Sequence, residues 1–331
     1  MRAQILSVLK LVAKFAFAFG ILWYMVAKGK LDLNVVRRGF SHVDDLVGAA
    51  ALVLMALAFS LYRWKLLLRG QNIDLSTSQA VRYGMIGSFF NTTMPGAVSG
   101  DLIKAWYVIS DFRGRHKTPI LTSILLDRVL GVFGLVVVAV SPVLLFGPRV
   151  WAIADLHKVI VPLLGLFGGV VGFFAYVMLS AWGPLAHLRR RLSPLEGNRV
   201  AHALLQAYDS WTGYRTRPGI LAATLTLSVA NFLCMTGVAL LCGHAIGETH
   251  LSTLHYFLLV PLGLLATAIP VAPAGLGVGH AAFNWLFLLA GSPNGPELFT
   301  MMVTIQILFN LMGVVFYLTA PKVVPEAAVQ A

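Results

Sequence analysis

The chain has 331 residues, of which 58% are hydrophobic and only 11% are charged, whereas a soluble domain carries about 25% charged residues. This composition excludes an ordinary soluble protein and predicts an all-α, polytopic integral membrane protein. The net charge of +12 comes from basic residues in short loops between apolar runs, a pattern typical of membrane topology and of contact with anionic lipids rather than of nucleic-acid binding.

The apolar runs predict six spanning helices. A span needs about 20 residues, and the first run is short, but Lys10 and Lys14 can extend to the headgroups and let a retained first helix begin near Ile5. Basic residues near both ends of the chain, including Lys322, place both termini on the cytoplasmic side. The predicted spans are residues 5–27, 46–62, 118–146, 159–182, 218–241 and 299–320.

Residues 76–110 predict a re-entrant hairpin. Pro95 and Gly96 interrupt its apolar run, and a broken helix cannot satisfy all its backbone hydrogen bonds in lipid, so protein or a water-filled cavity must shelter it. Its first four residues, Ser-Thr-Ser-Gln, fit a helix-capping box. Basic residues in 62–82, interpreted as a loop, and in 104–117 flank the hairpin, so we expect it to enter and leave from the cytoplasmic side.

The second half of the chain repeats this order. The loop 183–217 carries six arginines and is the strongest cytoplasmic marker. Within it, residues 194–213 have apolar side chains at helical spacing and predict an interfacial helix on the inner leaflet, with a loop packed on neighbouring helices as the alternative. Residues 252–290, broken at Pro273 and Gly275, predict a second hairpin that enters and leaves from the outside.

The two halves predict an inverted repeat. Each half reads as two spans, a hairpin and a span, and because the number of crossings is odd, the second half has the opposite orientation, as in many secondary transporters. The repeats would comprise residues 1–146 and 147–331. A short echo in the sequence aligns two glycines of each hairpin, namely Gly96 and Gly100 with Gly275 and Gly279.

Four charged residues lie within apolar surroundings. Asp127 and Arg128 are nine and ten residues into the span that begins at Thr118, which at about 1.5 Å per residue is roughly 14 Å deep, near the midplane of a ~30 Å core. Charges there must pair or line a polar cavity, and we expect the tips of both hairpins to meet beside them. Asp101 and Lys104 share one helix face, so one can hold the other while it binds a phosphate. The structural alternative is that these groups only join helices or extend to the headgroups.

The hairpin breaks supply further candidates for binding an anion. Backbone N–H groups at a broken helix form a positive dipole end, and the glycines allow a lipid phosphate to approach; alternatively, they only permit tight packing. Asn91 is either a ligand or an interhelical hydrogen bond, and His280 could change charge near neutral pH or be simply hydrogen-bonded. The predicted substrate-binding residues are Asn91, Pro95, Gly96, Gly100, Asp101, Lys104, Asp127, Arg128, Pro273, Gly275, Gly277 and His280.

Motifs of common enzymes and metal sites are missing from the sequence. It contains no HExxH, GxSxG, Walker A or paired CxxC motif. Cys234 and Cys242 do not form a CxxC motif and indicate neither a disulfide nor a metal site. We therefore expect no cofactor, no metal and no enzymatic activity.

Three motifs resemble the flippase-like family named for the transmembrane domain of lysylphosphatidylglycerol synthase. They are GSFFNTTMPGAVSGDLIKAW, Asp127-Arg128-Val129-Leu130-Gly131 and PAGLGVGHAAF. Their order and spacing over most of the chain are fairly specific, although each motif alone is weak. The sequence departs from the family at Ser99, where a glycine is frequent, and at His280, where an acid is common. The second departure argues against acid-dependent coupling at the second hairpin.

The resemblance implies a multi-pass protein of the bacterial inner membrane that moves an anionic phospholipid or lipid-linked substrate between leaflets. Two alternatives remain: a membrane-embedded transferase that modifies a lipid carrier, with Asp101 or Asp127 as general base, and a non-catalytic scaffold for lipid-synthesis enzymes. The synthase also has a soluble aminoacyl-transferring domain, and because this chain ends at Ala331, we do not expect aminoacyl transfer by this chain alone.

Overall fold

A computed structural model describes residues 42–94, 99–112, 114, 116–151, 157–179, 214, 217–267, 275 and 277–320. In these ranges the chain forms helices and no strand, which confirms the all-α prediction. The helices are α1 Val43–Gly70, α2 Thr77–Thr93, α3 Ser99–Asp111, α4 Lys117–Trp151, α5 His157–Leu179, α6 Pro218–Ala245, α7 Thr253–Thr267, α8 Val278–Leu289, α9 Gly295–Leu311 and α10 Gly313–Thr319.

Four segments are long and apolar enough to cross a membrane: Val43–Gly70, Lys117–Pro148, Pro218–Ala245 and Gly295–Thr319. Each has at least 25 residues, or about 37 Å at 1.5 Å per residue, against a hydrocarbon core of ~30 Å. The protein is therefore a multi-pass membrane protein. The last segment combines α9 and α10, because Met312 between them keeps helical dihedral angles.

The end of α1 differs from the sequence prediction. The sequence predicts a loop over residues 62–82 because charges end the apolar run there, but α1 continues to Gly70. Leucines at 66, 67 and 68 provide a second apolar stretch, of which Leu67 and Leu68 are fully buried. As a result, Arg63 lies inside the helix bundle, where the sequence had suggested a surface loop.

The two predicted hairpins each contain a pair of short, mutually packed helices, α2 with α3 and α7 with α8. The longest of these, α2, has 17 residues, or about 25 Å, so none of the four spans a ~30 Å core alone. Gly100 makes the first pair possible, because a Cβ atom there would overlap the carbonyl oxygen of Gly87. These lengths are what re-entrant hairpins require, and the re-entrant arrangement stays a prediction.

Hydrogen bonds secure the helix ends next to the first hairpin. The predicted capping box at the start of α2 is confirmed: the Gln79 N–H donates to Ser76 Oγ at 3.2 Å and the Ser76 N–H to Gln79 Oε1 at 3.0 Å. At the end of α1, Arg217 Nη1 donates to the carbonyl oxygens of Arg69 and Gly70 at 2.9 and 3.2 Å. These bonds satisfy backbone groups that a helix end leaves without partners.

Contacts between the two halves of the chain build the core. α6 packs along α1 and also against α4, α7 packs against α4, and both α9 and α10 pack against α2. The largest apolar cluster combines side chains from both halves, including Val53, Val140, Val238 and Phe299. The halves thus form one helical bundle around a common interior.

Several predictions fall outside the described residues. These are the first helix at 5–27, the interfacial helix at 194–213, and the hairpin breaks at Pro95, Gly96 and Pro273. The count of six spans, the division into repeats at 146 and the inverted orientation likewise stay predictions.

Candidate functional site

A cavity of about 460 Å³ lies in the centre of the bundle. Its wall comes from the first half through α1, α2 and α4, and from the second half through α6, α7 and α9. The first half contributes charged side chains from Arg63, Asp127 and Arg128. The second half contributes polar side chains from Asn231, Thr267, Gln306 and Asn310. Two of these four are on α9, so polar groups of both halves face one space.

Arg128 and Lys104 both hold Asp101. Arg128 Nε donates to Asp101 Oδ2 at 2.6 Å, and its Nη2 contacts the same oxygen. Lys104 Nζ is 2.9 Å from Asp101 Oδ1, which confirms the expected contact on one face of α3. Each carboxylate oxygen of this buried aspartate therefore has its own cation, as a buried charge requires.

Asp127 has a different partner, Arg63 of α1. Arg63 Nε donates to Asp127 Oδ1 at 2.7 Å, and its Nη1 donates to Ser228 Oγ of α6 at 2.9 Å. Consecutive residues on an α-helix project about 100° apart, so Asp127 faces α1 while Arg128 faces α3. Asp127 and Arg128 thus form two separate ion pairs with other helices.

Close approach of α4 and α6 places Ser228 within reach of Arg63. A Cβ atom at Gly134 would lie 2.5 Å from Ser228 Cβ, so only glycine permits this helix spacing. Ser228 also donates a hydrogen bond to the Thr224 carbonyl oxygen at 2.9 Å. Arg63 is therefore bonded to both halves of the chain, to Asp127 in the first and Ser228 in the second.

Lys104 connects the two ion pairs. Its Nζ is 2.9 Å from Asp101 Oδ1 and 4.0 Å from Asp127 Oδ2, and it lies 4.7 Å from the centre of the Trp64 ring, a cation–π distance. The network contains three cations and two carboxylates, so its net charge is +1. We call this set, Arg63, Asp101, Lys104, Asp127 and Arg128, the charged network.

The side chain of Asn91 accepts a hydrogen bond from a backbone N–H group beside the first break. Its Oδ1 accepts a hydrogen bond from the Gly100 N–H at 2.9 Å, and Asn91 also lines the cavity. This N–H group is therefore engaged within the hairpin, which supports the structural alternative for Asn91. At the following residue, Thr92 Oγ1 accepts a hydrogen bond from Asn310 Nδ2 at 3.0 Å and so joins α2 to α9.

His280 belongs to a separate hydrogen-bonded group. Its Nδ1 accepts from the Gly277 N–H at 3.4 Å, and its Nε2 lies 3.0 Å from Thr300 Oγ1. A neutral imidazole satisfies both contacts, one nitrogen as acceptor and the other as donor. Gly275 and Gly277 adopt positive φ angles of 69° and 88°, and of these predicted residues Gly275 lines the cavity. A binding role for His280 stays a prediction.

The structure thus brings together Asn91, Gly100, Asp101, Lys104, Asp127 and Arg128 from the predicted set. Sequence reasoning missed Arg63, because a charged residue at the end of an apolar run predicts the start of a loop. The signal that was present is the leucine run at 66–68, which continues the helix past it. Within the described ranges, no group of three or more His, Cys, Asp or Glu side chains is arranged to hold a metal ion.

Comparison with known proteins agrees with the geometry of a membrane bundle. A UPF0104 membrane protein from Pyrococcus horikoshii is 26% identical over 247 residues, which cover 69% of this chain and 72% of the relative. No solved structure matches the chain. Residues 11–316 match the family described as the lysylphosphatidylglycerol synthase TM region. Because that match extends over most of the chain, the protein belongs to the lysylphosphatidylglycerol synthase TM-region family.

Proposed function

We propose that this protein binds the headgroup of an anionic membrane lipid in the central cavity and moves the lipid between leaflets. The observation that carries the proposal is a charged network of net charge +1 at the wall of a cavity to which both halves contribute. The volume of 460 Å³ falls within the range of about 300–1,000 Å³ that is usual for ligand sites.

Arg128 is the member of the network best placed to meet a headgroup. Its side chain is 37% exposed, whereas those of Arg63 and Lys104 are 8% and 11% exposed. A guanidinium offers several N–H donors in one plane, so Arg128 can bond a phosphate oxygen while it keeps a bond to Asp101. We therefore assign headgroup contact to Arg128 and orientation of its guanidinium to Asp101.

The other members of the network support this contact. Arg63 and Asp127 are buried and neutralise each other, and a buried pair is retained only when both charges have partners. Lys104 contributes the surplus positive charge close to both aspartates. In an apolar bilayer, such interior charges are costly, pair with one another and mark substrate pathways.

Movement between leaflets would use the same cavity from both sides. α1, α2 and α4 form one part of the wall, and α6, α7 and α9 form the other. If the halves rock relative to each other, a headgroup at Arg128 is exposed first to one leaflet and then to the other, as alternating access requires. Such rocking would have to break contacts across the halves, among them the hydrogen bonds of Arg63 to Ser228 and of Asn310 to Thr92.

The test is lipid movement in proteoliposomes that contain fluorescent phosphatidylglycerol, read as the fraction of label exposed to an added quencher. Loss of a charge-assisted hydrogen bond costs about 1.5–3 kcal/mol, so we expect Arg128→Ala to slow movement at least tenfold. Fluorescent phosphatidylcholine in the same assay measures the preference for an anionic headgroup.

Arg69→Ala is the matched control. Arg69 also lies on a helix beside an aspartate, Asp74 at 3.8 Å, but both side chains are largely exposed and away from the cavity. We expect wild-type movement in this variant. A folded Arg128→Ala protein that moves phosphatidylglycerol at the wild-type rate would disprove the proposal.

A further inference from the structure

An apolar groove of about 520 Å³ lies between α4 and α5. Val129 and Val132 of α4 form one wall, and Gly165, Leu166, Gly169 and Val170 of α5 form the other. Arg128 is the single charged side chain among the described residues that line it. The groove is thus apolar apart from one guanidinium.

The groove and the central cavity meet at α4. Arg128 and Val132 line both spaces, and residues four apart lie on the same face of a helix. On one side of this face is the charged network with its net positive charge, and on the other the described lining residues are apolar besides Arg128. This arrangement matches an amphiphile with an anionic head and a hydrocarbon tail.

The glycines of α5 keep the groove open. Gly165 and Gly169 are one turn apart, and a Cβ atom added to either has no heavy atom of the described residues within 4 Å. By contrast, Gly100 and Gly134 are needed because another helix contacts them directly. Side chains at 165 and 169 would instead project into the groove, so the glycines supply its space rather than a helix contact.

We propose that this groove holds an acyl chain of the anionic phospholipid whose phosphate contacts Arg128. The inference rests on the proposed function and names its substrate class: a lipid bound by head and tail together, rather than a free phosphate compound. It also gives the route, because such a lipid reaches the cavity sideways from the bilayer, between α4 and α5. The occupant is one acyl chain, and the phosphate at Arg128 determines where that chain begins.

The test compares Gly169→Leu with Gly168→Leu in purified full-length protein. Both glycines are on α5 with open space around an added Cβ atom, but Gly168 does not line the groove. Binding is measured with phosphatidylglycerol in nanodiscs of phosphatidylcholine and, separately, with soluble glycerol phosphate. We expect Gly169→Leu to weaken phosphatidylglycerol binding about tenfold or more, since filling the groove removes burial of several methylene groups.

Glycerol phosphate binding should be the same in both variants, because that compound has no acyl chain. Leu166→Gln, at a half-exposed groove residue, is a second variant with the same expected pattern if Gly169→Leu does not fold. Equal loss of phosphatidylglycerol binding in Gly168→Leu and Gly169→Leu would overturn the inference, since the loss would then not depend on the groove face of α5.

The transport assay separates this inference from the proposed function. If wild-type protein moves phosphatidylglycerol and Gly169→Leu moves it equally fast, the groove proposal fails while the proposed function stands. If wild-type protein moves no lipid but Gly169→Leu still weakens phosphatidylglycerol binding selectively, the binding site stands and the translocase proposal fails.

Discussion

The two halves of the bundle satisfy their buried polar groups in different ways. In the first half, Asp101 and Asp127 are paired with cations from three helices. In the second half, the buried Glu248 accepts hydrogen bonds from neutral donors: the His250 N–H at 2.6 Å, Asn294 Nδ2 at 2.7 Å and the Ser292 hydroxyl.

The difference separates the charged network beside the cavity from a single carboxylate that links two loops. Glu248 follows α6 and joins the loops at the ends of α6 and α8, so neutral donors are enough to hold it. Full charges in the apolar interior cost much more, and here three of the five, Arg63, Asp127 and Arg128, line a cavity. We interpret the first half as the binding side and the second as the side that completes the wall.

The largest effect is expected from Asp127→Ala, which tests whether the charged network depends on pairing. The variant leaves the buried guanidinium of Arg63 without its carboxylate, and such a loss costs about 3–5 kcal/mol. Thermal or denaturant unfolding in detergent measures this loss of stability. In the second half, Thr300→Val removes the neutral partner of His280 and should cost only about 1 kcal/mol.

The double variant Arg63→Met with Asp127→Leu provides the control for that prediction. Because it removes both charges and keeps apolar volume, it should be more stable than Asp127→Ala alone. If the single and double variants lose the same stability, electrostatic pairing is not what holds α1 to α4.

A smaller effect is expected when alanine replaces Gly100 or Gly279, two glycines at corresponding positions of the two predicted hairpins. At Gly100, the new methyl group overlaps the backbone oxygen of Gly87, which cannot move without separating α2 from α3. At Gly279, it overlaps the ring of Phe299, a buried side chain and not a backbone group. We expect Gly100→Ala to destabilise by about 1–3 kcal/mol and Gly279→Ala by less.

Unfolding of both variants under the same conditions checks this difference. Both glycines are the second residue of their helix, so alanine gains the same helix propensity at either site, and the difference reports the helix contact alone. Equal destabilisation would mean that the contact between α8 and α9 is as rigid as the contact between α2 and α3.

The smallest effect is expected from Glu248→Gln, and it should depend on pH. Burial raises the pKa of Glu248, but the hydrogen bonds from Ser292, the His250 N–H and Asn294 outweigh this and hold the pKa below its ordinary value of 4.5. A lowered pKa stabilises the fold above the unfolded-state value, and this stabilisation is lost as the pH falls through the folded-state value.

The variant should therefore be less stable than wild type at pH 7, and the difference should shrink as the pH falls below 4.5 and through the lowered folded-state pKa. Unfolding temperatures of both proteins measured at several pH values would show this change in the stability difference. A difference that does not change with pH would indicate that shape, and not the charge of the carboxylate, connects the two loops.

The sequence by itself determined the membrane class, the helical fold and most of the charged residues of the site. Hydrophobicity and helix spacing are local properties, so the apolar runs located α4 and α6 to within a few residues of their ends, and the capping residues located the start of α2. The same local argument singled out Asp127 and Arg128, because a charge inside an apolar run is visible without a structure.

Only the tertiary structure decided which charged side chains pair with each other. Arg63 and Asp127 are 64 positions apart in the chain, and nothing local to either predicts their bond. The local pattern instead assigned Arg63 to a loop, since it could not show that α1 continues into the bundle and buries it. The groove beside Arg128 has the same origin, because it exists only where the glycine face of α5 lies against α4. Side-chain pairing and cavity shape depend on how helices pack, and packing joins residues that the sequence keeps apart.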